Sequence, residues 1–247
     1  MASDAHAHHG PAYLAHHFET PAQQFDAAKL GMWAFLAQEV LFFSGLFVAY
    51  GIFRNWYPEA FSIGSHLLDW QMGGINTVIL LASSFTAAMA VRASQVGDRK
   101  QTTMLLGLTI VFAFGFMVVK YFEYTHKIHV GILPGQYWGC PSFDCGTAAP
   151  EAFAEEVAAA IDAAHLNAGP GMVPYHLRSF FGIYFVMTGL HGIHVLIGIG
   201  LIAWIMRRNQ KGEFSADYNT PVDIVALYWH LVDLIWIYLF PLLYLID

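Results

Sequence analysis

Long apolar runs separated by short polar links dominate the chain. Stretches of mostly apolar residues near the ~20-residue length that crosses a ~30 Å hydrocarbon core fall at about 30–53, 73–94, 104–125, 179–206 and 223–246. Each predicts a helix, because a segment surrounded by lipid must satisfy its backbone polar groups internally. The links at about 95–103 and 207–222 are short and no internal repeat is evident, so the pattern predicts an all-α membrane protein with five transmembrane helices in one bundle. The connection at about 126–177 is the exception, being long and polar. There Pro150 suits a first helical turn, and Phe153, Val157, Ile161 and Ala164 recur at helical spacing, predicting a short amphipathic helix over about 150–166.

Composition supports the membrane assignment: 57% of residues are apolar, 16% aromatic and only 12% charged, which excludes an ordinary water-soluble domain. The formal net charge of −7 gives no signal for nucleic acid. Residues 1–28 lack the apolar core of a signal peptide and read as a polar, histidine-rich cytoplasmic tail ahead of a membrane domain over 29–247. His6, His8, His9, His16 and His17 could bind metal adventitiously, but a solvated tail is the simpler account. Placing the amino terminus inside gives Lys29, Arg92, Arg99, Lys100, Arg207, Arg208 and Lys211 to the cytoplasm and leaves Arg54, Lys127 and Arg178 outside, as the positive-inside rule asks. The carboxyl terminus and the 126–177 connection are then extracytoplasmic.

Charged groups inside spans cost about 2.5–3.5 kcal/mol each at the midplane on insertion scales, so each needs a partner or a use. Glu39 lies near the middle of the first span, Asp233 at a similar depth in the fifth with His230 on the same face, and His191 with His194 near the middle of the fourth. These five form an expected midplane network. Lys120, Glu123 and His126 form an expected outer cluster near the far end of the third span, with Lys120 snorkelling to the interface and Glu123 screening it. Helix-to-helix packing through satisfied hydrogen bonds is the plain reading of the histidines. A haem held by His194 and His230 is the sharper one, and it needs the two rings to face each other across a slot.

The two cysteines, Cys140 and Cys145, share the outer connection. A disulfide closing this small loop suits an oxidising compartment. Zinc would need a second ligand pair that this spacing does not supply, and a copper electron-transfer site is a third reading.

Several motifs together resemble subunit III of the haem-copper oxidases, the cytochrome c and quinol oxidases of respiratory chains. They are LGMWAFLAQEVLFFSGLF at 30–47, NTVILLASS at 76–84, EY at Glu123 and Tyr124, TGLHGIHVLIG at 188–198 and WHLVDLIWIYLFPLLYL at 229–245, in order across all five spans. The resemblance leaves out the tail and most of the 126–177 connection, and it is to the five-helix bacterial form. Lys120 stands where many relatives carry glutamine, and His126 where many carry a second acid.

The resemblance implies a subunit of a bacterial cytoplasmic membrane complex with no catalytic residue and no metal ligand of its own. Haem and copper would sit in partner subunits, and the chain would pack on subunit I, with subunit II also in the complex. It would hold phospholipids between its helices and support proton uptake and stability during turnover. Glu39 would be the family carboxylate, His191 and His194 its paired histidines and His230 with Asp233 its last-helix pair; from their matched depth we expect the histidines of the fourth and fifth spans to hold Glu39 by hydrogen bonds. The long outer connection would contact further subunits of the respiratory complex. The competing readings are an accessory chain of a nitric oxide reductase or quinol oxidase, a haem-b membrane anchor and a proton-coupled transporter. The last is disfavoured by the lack of inverted repeats and broken helix pairs.

Overall fold

A computed structural model of the protein describes residues 13–135, 138–140, 151–165 and 176–246. Seven helices occur among them: α1 (Pro21–Trp56), α2 (Pro58–His66), α3 (Trp70–Val96), α4 (Arg99–Val130), α5 (Glu151–Ala163), α6 (Leu177–Gln210) and α7 (Thr220–Tyr244). Helices α1, α3, α4, α6 and α7 are long and apolar enough to cross a membrane, which agrees with the five expected spans. Helix α5 falls where the amphipathic pattern placed it. Helix α2, too short for a span, has no counterpart in the expected elements.

Helices α1, α3 and α4 outrun their apolar stretches, because the capping residues Thr20, Asp69 and Asp98 set where they start. Thr20 accepts a hydrogen bond from the Gln23 amide and Pro21 occupies the first turn, so α1 starts well inside the segment expected as tail. Ahead of it, Tyr13 stacks on Tyr218 at 4.6 Å, and Gln24 donates to the Tyr13 carbonyl, so this end of the lead folds back on the link before α7. Helices α3 and α4 form a tight antiparallel pair. Gly97, at a φ of 81°, closes α3, and the Asp98 side chain caps α4 through the Gln101 amide.

What each span buries follows one rule. On α4 the buried positions are Thr102, Leu106, Thr109, Ala113, Phe116, Lys120, Glu123, Lys127 and Val130, alternating steps of four and three. On α3 the same alternation runs through Gly73, Asn76, Leu80, Ser83, Ala87, Ala90 and Ser94, most of them small. That 3.5-residue seam is the geometry of helices packed nearly antiparallel, and small residues on it let backbones approach where apolar burial gives little driving force. Hydrogen bonds lace the seams. Trp229 and Trp236 of α7 donate to Ser83 and Thr77 of α3 at 3.0 and 3.1 Å, and Thr86 meets Thr109 of α4 at 2.8 Å. Asn209 of α6 donates to the Arg99 carbonyl at 2.9 Å.

Helix α1 is the outlier, the least buried of the spans. Its buried residues form a single stripe, Met32, Leu36, Glu39, Phe43 and Tyr50, laid against α6 and α7. Much of the remaining surface of its membrane-spanning part is apolar and open, with Leu30, Trp33, Leu41, Val48 and Trp56 all exposed. Helix α5 buries Phe153, Val157 and Ile161 and packs on α2. Of the expected disulfide, Cys140 is buried just past α4, while Cys145 lies outside the described residues. His6, His8 and His9 also lie outside them.

One glycine sets the closeness of α6 and α7: a methyl group added at Gly198 would stand 2.7 Å from the Trp229 ring, whereas Gly200 has open space beside it. Gly198→Leu should therefore destabilise the fold by about 1–3 kcal/mol through overpacking, and Gly200→Leu should be near neutral. Thermal unfolding followed by size-exclusion chromatography in detergent separates the two, and equal melting temperatures would contradict the packing described.

Candidate functional site

The expected midplane set divides into separate pairings. Glu39 on α1 and His194 on α6 meet, with Glu39 Oε2 3.1 Å from His194 Nε2. His194 Nδ1 lies 2.7 Å from the Leu190 carbonyl of its own helix, which fixes the ring, and Phe43 packs edge-on against it. Tyr228 of α7 donates to the His194 carbonyl at 3.0 Å. The carboxylate thus finds its partner one helix away on the only stripe that α1 buries.

His230 does not join this pair. Its Nδ1 lies 2.7 Å from Ser84 Oγ on α3, so the fifth-span histidine ties α7 to α3, and Glu39 keeps His194 as its cross-helix partner with Gln38 of its own helix donating to Oε1 at 3.5 Å. The haem reading needs two facing rings with free nitrogens, but both His194 nitrogens are engaged and His230 turns toward α3. His191, fully buried, lies between the rings of Phe116 and Trp236 at 5.6 and 5.3 Å. Both of its ring nitrogens, the Asn76 amide and Asp233 Oδ1 are buried without a hydrogen-bond partner among the described residues. No group of three or more metal-binding side chains occurs among those residues.

The outer cluster differs most from expectation. Lys120 does not snorkel. It is 8% exposed, and its ammonium donates to Glu123 Oε2 at 2.8 Å and to the Tyr244 hydroxyl at 2.6 Å, 4.5 Å above the Trp236 ring. Glu123 Oε1 in turn accepts from Tyr184 of α6 at 2.7 Å and Tyr244 of α7 at 2.6 Å. An inward turn wins because both acceptors and an aromatic face lie inside, where a charge-assisted bond is stronger than at the wet interface. Three helices, α4, α6 and α7, converge on one ion pair.

His126 is not part of this knot. It is exposed, 3.6 Å from Glu156 of α5, because its place on α4 falls off the buried seam. The residue that takes the seam position is Lys127, buried, with its ammonium donating to the Leu67 carbonyl at 3.1 Å. By sequence Lys127 is one of the outer basic residues. Its spacing of four from Glu123 and seven from Lys120 was the available signal. Tyr184 and Tyr244 carried no such signal, since nothing distinguishes them in sequence from the chain's other tyrosines.

Removing one member of a buried ion pair leaves the other uncompensated. Lys120→Met should destabilise the chain by about 3–5 kcal/mol, and adding Glu123→Gln should restore part of that loss, because the two charges leave together. Thermal stability of both variants and of Glu123→Gln alone completes the cycle, and additive effects would contradict the coupling.

With this geometry in place, comparison with known proteins assigns the family. The family model for cytochrome c oxidase subunit III matches residues 10–143 and 177–247, leaving out 144–176, the stretch that contains α5. The chain is 27% identical to cytochrome c oxidase subunit 3 of Synechocystis sp., over 98% of this chain and 80% of that one. It is 26% identical to quinol oxidase subunit 3 of Bacillus subtilis, over 98% and 97% of the two chains. Against cytochrome c oxidase subunit 3 of Oncorhynchus mykiss the identity is 28%, over 94% and 73%. The protein belongs to the cytochrome c oxidase subunit III family, the third subunits of haem-copper oxidases that oxidise cytochrome c or quinol.

Proposed function

We propose that this chain is the accessory third subunit of a cytochrome c oxidase in a bacterial cytoplasmic membrane, its amino terminus on the cytoplasmic side. It packs on the catalytic subunit I in a complex with subunit II, binds phospholipid, and supports proton uptake and stability during turnover. Haem and copper belong to the partner subunits. Glu39 with His194, His230 with Ser84, and Lys120 and Glu123 with Tyr184 and Tyr244 join helices to one another.

The observation that carries this reading is the way α1 is attached. One buried stripe, centred on the Glu39–His194 contact, fastens α1 to α6, and the Lys29–Asp223 ion pair at 2.6 Å and a Tyr50 hydroxyl donating to the Leu242 carbonyl fasten it to α7. The exposed apolar face of α1 is left for lipid and a neighbouring subunit. A supporting role follows for Glu39: it fixes the helix that meets the partner, and the reaction proceeds elsewhere. The stretch around α5, which the family model omits, is an added surface for a further subunit. A quinol-oxidising complex is the second reading, favoured by the relatives named quinol oxidase subunit 3.

Affinity capture of the tagged chain from its native host in mild detergent should bring down oxygen-consuming activity driven by reduced cytochrome c. Activity driven only by quinol would select the second reading, and capture with no oxidase would overturn both. In the captured complex, Glu39→Ala should weaken retention of subunit I and speed turnover-dependent inactivation by about fivefold, the effect of losing a bond of ~1 kcal/mol. His194→Ala should do the same, and the double variant little more. Unchanged assembly and inactivation in Glu39→Ala would refute the role given to this residue.

A further inference from the structure

Around Trp236 the bundle buries more polar atoms than its own bonds use. His191 of α6 and Asn76 of α3 are fully buried, and neither the two ring nitrogens of the one nor the amide nitrogen and oxygen of the other have a hydrogen-bond partner among the described residues. Lys120 of α4, also buried, donates to Glu123 and Tyr244, which leaves one hydrogen of its ammonium. Nearly all buried polar groups find a partner, and within a membrane no bulk water is at hand to supply one.

These three residues stand at one level of the bundle. Lys120 Nζ lies 4.5 Å from the centre of the Trp236 ring, and the His191 ring lies 5.3 Å from it. Phe116, one turn before Lys120 on α4, packs on both His191 and Trp236, at 5.6 and 4.9 Å. The bond from Trp236 to Thr77, at 3.1 Å, fixes the register of α3 against α7 and brings the neighbouring Asn76 to the same height. The Thr86–Thr109 bond gives the same answer on the other side, because the antiparallel seam that it registers puts Asn76 opposite the turn between Phe116 and Lys120. Asp233, whose Oδ1 is also without a partner, falls one turn away along α7, toward the Trp229–Ser83 bond, and lies outside this ring.

We infer that ordered water is built into the bundle here, bonded to Asn76, His191 and the remaining hydrogen of Lys120. The site takes water and not an ion, because the ammonium is already matched by Glu123 and the other two groups are a neutral amide and an imidazole between aromatic rings. An amide and an imidazole offer donors and acceptors side by side, and a molecule that both donates and accepts uses all of them. A buried water makes about three hydrogen bonds, so more than one molecule is needed to reach every position. The ion-pair knot of Lys120, Glu123, Tyr184 and Tyr244 joins α4, α6 and α7. The water adds α3 to it through Asn76. This holds for the folded chain whichever oxidase it serves.

Trp236 and Trp229 supply the comparison that tests it. Both lie on α7 and are fully buried, but Trp229 packs on Gly198 and donates to Ser83 away from the ring. X-ray radiolysis of the full-length chain in detergent and isotope-labelled water makes hydroxyl radicals from bound water where it sits, so a fully buried side chain is oxidised only beside such water. Mass spectrometry should find Trp236 labelled severalfold faster than Trp229, and equal rates would overturn the site. Asn76→Leu supplies a second readout of opposite sign for the two cases. With water present, the substitution removes one of its partners and strands His191, so the melting temperature should fall and Trp236 labelling should drop toward that of Trp229. In a dry core the same change deletes two unsatisfied atoms, and a higher melting temperature would overturn the inference. Should Asn76→Leu not fold, the ratio of the two tryptophans in the unsubstituted chain decides. None of these outcomes depends on whether an oxidase copurifies.

Discussion

A charged side chain in a membrane-spanning helix must face protein, and that constraint organises this molecule. Each long helix presents a seam to its neighbours, and Glu39, Lys120, Glu123, Lys127 and His191 all sit on seam positions. The knot around Lys120 and Glu123 is the strongest case. Two opposite charges are removed from water, and desolvation alone would make either untenable there. Two tyrosines, an indole face and the pair's mutual attraction compensate them, and in doing so fix where α4, α6 and α7 meet. The four-and-three spacing on these helices is therefore a packing rule and a rule for placing charge.

Helix α1 obeys the same constraint with less help. Its one intramembrane carboxylate is matched by a single histidine, on a stripe flanked by open apolar surface. A helix held this way can be aligned by a few polar contacts while most of its surface stays available to lipid or another chain. That division suits a subunit whose contribution is made through contact. The core of the bundle, by contrast, is tied by many cross-helix bonds and by small residues that bring backbones close, as Gly198 does against Trp229.

The spans were legible in the sequence because length and apolarity decide them, and lipid leaves the backbone no alternative to a helix. Their ends were less legible. Thr20 and Asp98 extend helices into polar stretches that hydropathy assigns to tail and link, and α2 is too short to register as a span. Among the site residues, the approach of Glu39 to His194 could be anticipated from matched depth, yet depth does not give rotation. His230 has the right depth for Glu39 but faces Ser84. Snorkelling was a reasonable expectation for Lys120 judged alone. What overrode it was the tyrosine pair from two other helices, whose arrival at that point no local pattern encodes. Counting the four-and-three register through α4 would have separated His126 from Lys127, because only Lys127 keeps the phase of Lys120 and Glu123.

The central claim is that the histidines and carboxylates of these spans hold helices and not a redox centre. The most direct measurement is the reduced-minus-oxidised optical spectrum of the chain after it has been separated from the captured complex. The account predicts that all haem absorbance stays with the partner subunits and the isolated chain shows none. Haem retained by the isolated chain would contradict it and would make His191, His194 and His230 the ligands to examine.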